Sequence, residues 1–194
     1  MTLFKNRYRI ESTRLKGYDY SSPGEYFVTV RTRAKSCLLG EVVDGAVRLS
    51  PTGQIIAEEW ENTPKIRQNV RLDLWVVMPN HLHGIVVIEK SLVETHRDAS
   101  LRMQNTFGPQ RNNLGSIVRG FKSASTKKIH LSGYLDFGWQ PGFYDHIVRD
   151  GKDLDRIREY IRLNPTNWTK DPESPSNVIV AGLHNESADW SLLD

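Results

Sequence analysis

The sequence predicts an α+β fold, an antiparallel sheet carrying helices, and three observations predict it. Short runs rich in β-branched and aromatic residues read as strands. Longer stretches carry apolar residues at helical spacing. The two kinds follow one another as strand, helix, strand, strand, helix, strand, with one further helix at the end.

Residues 1 to 23 are polar and irregular and close on the turn signal Tyr20-Ser21-Ser22-Pro23-Gly24. Tyr26-Phe27-Val28-Thr29-Val30 reads as the first strand. Asp44-Gly45, between Val42-Val43 and Ala46-Val47-Arg48-Leu49, signals a short hairpin. Pro51 and Thr52 open a helix through about Thr63, with Ile55, Ile56 and Trp60 near helical spacing. Val70 to Met78 is a second strand, broken by Pro79-Asn80, and His81 to Glu89 a third. The unbroken run Ile85-Val86-Val87-Ile88 implies burial on both faces of a sheet. Residues 90 to 112 form a polar connection. Asn113 to His130 reads as an amphipathic helix with Ile117, Val118, Phe121 and Ala124 inward, and Phe143 to Arg149 as a fourth strand. Asp150 suits the N-cap of a last helix, whose apolar positions are Leu154, Ile157 and Ile161 and which Pro165 ends. The first six elements match the split βαβ, or ferredoxin-like, arrangement, with the extra helix appended.

With 194 residues, 38% hydrophobic and 25% charged, the chain is expected to form one soluble domain over 1–194, with its core at about 8–168 and a C-terminal tail at 169–194. Trp168 and Trp190 are the expected anchors of the region beyond Pro165. No apolar run approaches the roughly 18 residues that span a bilayer, and Met1 to Arg7 lacks the apolar stretch of a signal peptide. Cys37 is the only cysteine, which excludes an intrachain disulfide and a cysteine-rich zinc site. A cytoplasmic protein without a membrane partner is the expectation. The net charge of +3 is mildly basic. Arg111, Arg119, Lys122, Lys127, Lys128 and His130 fall in one segment without an acidic residue, which suits a phosphate backbone and equally a solvated helix face.

Two patterns carry chemistry. His81-Leu82-His83 opens the third strand, where residues two apart share a face, so both imidazoles can reach one ion while Leu82 enters the opposite layer. In the last helix Arg156, Tyr160 and Asn164 are four apart, and each such step turns by only about 40°. Asn164 offers an amide oxygen for a hard cation and Tyr160 a phenol capable of covalent catalysis. Each pattern alone also fits a structural role: an incidental histidine pair, a half-buried aromatic, an asparagine ending a helix before Pro165.

Together, however, these residues resemble a known family. Met78-Pro79-Asn80-His81-Leu82-His83-Gly84 resembles the histidine-hydrophobic-histidine (HUH) signature of single-tyrosine HUH transposases. Trp139-Gln140, Tyr144 to Asp150 and Arg158 to Pro165 resemble the C-terminal block of the REP-associated tyrosine transposases, domesticated relatives of small bacterial insertion-sequence transposases. The similarity runs from about Tyr8 to Trp168. It implies a ferredoxin-like sheet, Tyr160 as nucleophile, and His81, His83 and Asn164 as ligands of Mg²⁺ or Mn²⁺. Asparagine in place of glutamine as third ligand fits the REP-associated branch. The implied reaction is cleavage and rejoining of single-stranded or hairpin DNA through a 5′-phosphotyrosine, by a monomer or homodimer in a bacterial, nucleoid-associated setting. Arg119, Lys122, Lys127, Lys128, Arg149 and Arg156 are the expected DNA contacts. The general base is not evident; His146 is one candidate and water another. Competing readings are a domesticated hairpin-binding protein without cleavage, a metal-dependent hydrolase with a water nucleophile, and a structural domain without a site.

Overall fold

A computed structural model describes residues 15, 17–90 and 113–175, together with the backbone of 3–4 and 7–8. The connection at 91–112 and the tail from 176, with Trp190, lie outside the described residues. The elements are β1 (Leu3–Phe4), β2 (Arg7–Tyr8), β3 (Gly24–Arg31), β4 (Gly40–Val43), β5 (Ala46–Leu49), α1 (Pro51–Ile66), β6 (Val70–Val77), β7 (His81–Ile88), α2 (Leu114–Leu131), β8 (Tyr144–Ile147) and α3 (Gly151–Leu163). Within the stretch expected to be irregular, β1 and β2 pair as a two-residue ladder.

The main sheet is antiparallel, in the order β6-β7-β3-β8. With α1 between β3 and β6, and α2 between β7 and β8, this is the split βαβ arrangement expected from the sequence. The β4–β5 hairpin turns through Asp44 (φ 51°) and Gly45 (φ 73°). Positive φ at both central residues marks the type I′ turn that Asp-Gly favours.

Each helix starts where a short polar side chain accepts from an orphan N–H: Ser50 from Gly53 (3.1 Å), Asn113 from Ser116 (2.8 Å) and Asp150 from Asp153 (2.9 Å). Helix α1 runs past Thr63 to Ile66 with Pro64 inside it. So close to the end, the lost N–H removes one bond, and the Arg67 N–H still closes the turn on the Thr63 carbonyl (3.0 Å).

The pleat sorts the side chains into two cores. Tyr26, Val28, Val30, Leu82 and Val86 point to the layer of α1 and α2, where Ile56, Trp60, Ile117 and Phe121 meet them. Gly84 belongs to this face because Trp60 lies against it; a Cβ there would come within 2.7 Å of the indole. Phe27 and Ile85 point the other way and pack under α3 with Leu154, Ile157 and Ile161. Burying each of these three α3 side chains contributes about 1.5–3 kcal/mol. Every residue of β7 is buried, as its unbroken apolar run implied. A register shift between Leu72 and Trp75 in β6 accompanies an ion pair from that strand to α3, Asp73 Oδ2 to Arg158 Nη2 at 2.6 Å. Among the described residues no helix is long and apolar enough to cross a membrane.

Candidate active site

The site lies on the α3 face of the sheet. In the β3–β7 ladder Thr29 sits opposite His83 and Arg31 opposite His81. Strand alternation puts both imidazoles on this face and Leu82 in the other core, as the spacing required. Both histidines are fully buried. Their ring centroids are 4.3 Å apart, and Phe27 stacks on His83 at 5.4 Å. The buried Ile157 and Ile161 seat α3 over the sheet and carry Tyr160 and Asn164 to the pair. Tyr160 Oη lies 3.3 Å from His83 Nε2. Asn164, the C-cap of α3, is 3% exposed.

Beyond α3 the chain passes through a 3-10 turn at Trp168–Lys170 and folds back against the histidines. Trp168 approaches the His81 ring at 6.0 Å. Buried Asp171 accepts from Asn164 Nδ2 at 2.8 Å, and its Oδ2 is 4.0 Å from His83 Nε2. One ligand atom from each of His81, His83 and Asp171 lies within 4.8 Å of the others, so these residues could hold a metal ion.

Hydrogen bonds on the far side of each ring orient the ligand atoms. His81 Nδ1 is 2.8 Å from Asn80 Oδ1, and His83 Nδ1 is 2.9 Å from Thr29 Oγ1. Each Nε2 is thereby turned toward the common centre. Two buried acceptors, His81 Nε2 and Asn164 Oδ1, have no hydrogen-bond partner. Leaving such atoms unsatisfied costs about 1–3 kcal/mol each. A cation is the partner that suits a neutral imidazole lone pair and an amide oxygen together, so the donor set fits a divalent metal.

The electrostatics agree. Burial, reinforced by His83 and the nearby Arg31 and Lys35 charges, pushes the His81 pKa well below its ordinary value, which keeps the ring neutral; Asp171 opposes this only in part. Burial alone would raise the Asp171 carboxyl, but His83, His81 and the Glu173 N–H outweigh it and hold Asp171 ionised. Tyr160 is raised above the usual phenol range, first by burial and then by the Asp171 and Glu173 carboxylates, with Asn164 working against them.

The structure thus brings together His81, His83, Tyr160 and Asn164. Arg156 is instead turned to the α3 N-terminal end, with Nη2 2.8 Å from Asp153 Oδ1. His146 also serves that end, its Nε2 2.9 Å from Asp153 Oδ2, two helical turns before Tyr160. Of the basic helix, Arg119 and Lys127 are exposed and, with Arg33 and His130, edge an open groove floored by Phe137 and Trp139. Lys122 donates to the Gln140 and Gly142 carbonyls, and burial lowers its pKa to about 8. Lys128 pairs with Glu59 of α1. Arg149 is exposed, and its backbone N–H donates to Asp153 Oδ2 at 3.0 Å.

Asp171 is the site residue that sequence reasoning missed. It follows no helical or strand period, and its one signal is an acid in a Pro-bounded stretch just after α3. Asn80 was visible as part of a strand break and of the Met78–Gly84 motif, but with no role assigned, although its amide is a hydrogen-bond partner of His81.

No family model matches the chain. An uncharacterized protein of Haemophilus influenzae is 39% identical over 163 residues, covering 82% of this chain and 90% of that protein. The REP-associated tyrosine transposase of Escherichia coli K12 is 30% identical over 101 residues, covering 51% of this chain and 47% of that protein. A REP-associated tyrosine transposase solved bound to a REP hairpin superposes with a TM-score of 0.55 at 22% identity, covering 93% of each chain.

Proposed function

We propose that the chain is a member of the family of the REP-associated tyrosine transposases and that it cleaves and rejoins single-stranded DNA at or near hairpins, through Tyr160. One observation carries this reading. Two imidazoles, a phenol and a carboxylate from distant parts of the chain meet at one buried place, the Asn164 amide is hydrogen-bonded to that carboxylate, and His81 Nε2 and Asn164 Oδ1 have no protein partner.

In this reading His81, His83, Asn164 and Asp171 hold Mg²⁺ or Mn²⁺. Bound there, the ion would neutralise charge on the scissile phosphate and favour in-line attack. Helix α3 presents the Tyr160 oxygen on the same face. That oxygen forms a bond to phosphorus while the bond to the 3′ oxygen breaks, giving a 5′-phosphotyrosine and a 3′-hydroxyl. The phenol proton leaves to solvent and the departing 3′ oxygen gains one. Rejoining is the reverse exchange: the 3′-hydroxyl attacks the phosphotyrosine, and no nucleotide cofactor is consumed. The phenol is protonated at neutral pH, as any tyrosine titrating at about 10 is. Proton removal is therefore part of the barrier. With His146 held on Asp153, water is the acceptor we assign.

The expected DNA contacts divide by their partners. Arg119 and Lys127 are exposed and line the groove, so these reach phosphates. Lys122, Lys128 and Arg156 are held by protein groups and contribute mainly to the field around the strand.

The test is incubation with labelled single-stranded DNA and Mn²⁺, followed by a denaturing gel. Wild type should give a covalent protein–DNA adduct. Tyr160→Phe should give none while binding the DNA as before, because only the phenolic oxygen is lost. An adduct at wild-type level in the variant would move the nucleophile elsewhere. Cleavage without any adduct would point to a water nucleophile.

A further inference from the structure

Glu173 is 1% exposed and carries a charge that the chemistry above does not use. Its Oε1 accepts from Arg31 Nη1 at 2.6 Å, and its Oε2 is 3.5 Å from Lys35 Nζ. These pairs fasten the segment after α3 to the end of β3. Two backbone groups of Glu173 then act on the site. Its N–H donates to Asp171 Oδ1 at 2.7 Å, and its carbonyl accepts from Asn80 Nδ2, also at 2.7 Å.

The Asn80 contact fixes a proton position. Asn80 Nδ2 donates to two carbonyls, those of Glu173 and, at 3.1 Å, Lys35. Turning the amide over would set Oδ1 against two oxygen acceptors and Nδ2 against His81, so one orientation is imposed. In that orientation Oδ1 can only accept, and His81 Nδ1 at 2.8 Å must therefore be the protonated nitrogen. His81 Nε2 is left as a bare lone pair pointing into the site, the form that binds a cation.

We propose that Glu173 is a positioning residue of the metal site: docked by Arg31 and Lys35, it locks the Asn80 amide, and thereby the tautomer of His81, while holding the Asp171 carboxylate in place. The inference rests on the metal role assigned to His81, but its first readout does not need the metal.

Long-range ¹⁵N–¹H spectra of ¹⁵N-histidine-labelled, metal-free protein report which ring nitrogen of His81 carries the proton. Wild type should show a single tautomer, protonated at Nδ1. Glu173→Gln keeps the size and weakens the ion pairs; it should mix the two tautomers and weaken Mn²⁺ binding, read by calorimetry, about tenfold. Asn80→Ala should mix them fully and weaken Mn²⁺ binding by about tenfold to a hundredfold. A residue that merely stabilised the fold would lower the unfolding temperature and leave the tautomer alone.

The proposal is overturned if wild-type His81 carries its proton on Nε2 or exchanges freely, a result that stands even if both variants fail to fold. It is equally overturned if folded Glu173→Gln keeps one tautomer and wild-type Mn²⁺ affinity. Should wild type bind no Mn²⁺, the metal reading fails, and the spectrum still decides the positioning role.

Discussion

At the scale of single residues the site is a problem of charge. Two neutral imidazoles and an amide would leave a buried divalent ion with its full charge, which is costly in a low-dielectric interior. Asp171 is the one carboxylate of the cluster, and its depressed pKa keeps it ionised. Removing it should therefore cost more Mn²⁺ affinity than removing the neutral Asn164 oxygen, which water can replace. The expected order of Mn²⁺ affinity by calorimetry is wild type, then Asn164→Ala, then Asp171→Ala. Excess Mn²⁺ should restore cleavage to Asn164→Ala more readily than to His81→Ala. If Asp171→Ala binds Mn²⁺ as well as wild type does, Asp171 is not a ligand. The histidines were legible because strand alternation alone places them on one face. Tyr160 and Asn164 were legible from helical spacing combined with the family resemblance. Asp171 was not, because it is delivered by a chain reversal after α3, and neither a strand nor a helix period marks such a residue.

At the scale of the element, α3 must hold Tyr160 in register with the sheet. Its apolar stripe supplies most of the energy, and its N-terminal end is tied down by Asp153. Burial would raise the Asp153 carboxyl, but hydrogen bonds from Arg156, His146 and the Arg149 N–H outweigh it and bring its pKa down to about 2. A carboxyl depressed in the folded state stabilises above its unfolded value, 3.8, and that stabilisation is lost as pH falls toward the folded value. The shift corresponds to about 2 kcal/mol near neutral pH. Asp153→Asn should lower stability by up to that amount at pH 7 in chemical denaturation. Its deficit against wild type should then close between about pH 4 and pH 2. A deficit independent of pH would assign the effect to lost hydrogen-bond geometry and not to charge. The Asp150 cap and the periods of all three helices could be read directly. The end of α1 could not, because Pro64 argues for a stop and the cost is small only this near the C-terminus.

At the scale of the whole molecule, one sheet carries the candidate chemistry on its α3 face and two helices on the other. The basic segment in α2 shows what a one-dimensional reading of charge leaves out. No acid lies between Arg111 and His130 in sequence, yet Glu59 arrives from α1 to pair with Lys128, and two carbonyls from the following loop take Lys122. Arg119 and Lys127 have no ion pair among the described residues and stand exposed at the groove. The fold therefore divides four cations, equivalent by composition, into two engaged by protein groups and two exposed without an ion pair among the described residues. Binding to single-stranded DNA separates the pairs. Each phosphate contact contributes about 0.7 to the slope of log affinity against log salt. Arg119→Ala with Lys127→Ala should flatten that slope by about twice this amount, alike for every sequence, and leave stability within about 0.5 kcal/mol of wild type, as expected for exposed positions. Lys128→Ala should instead lower stability by leaving buried Glu59 with only the Asn62 amide as partner and no countercharge, and change the slope little, because that cation is already neutralised. If the slope changes as much for Lys128→Ala as for the exposed pair, the strand runs along the α1 side of α2 and the groove is not its path. If neither changes the slope, phosphates are held elsewhere, and Arg149, beside the start of α3, becomes the cation to test.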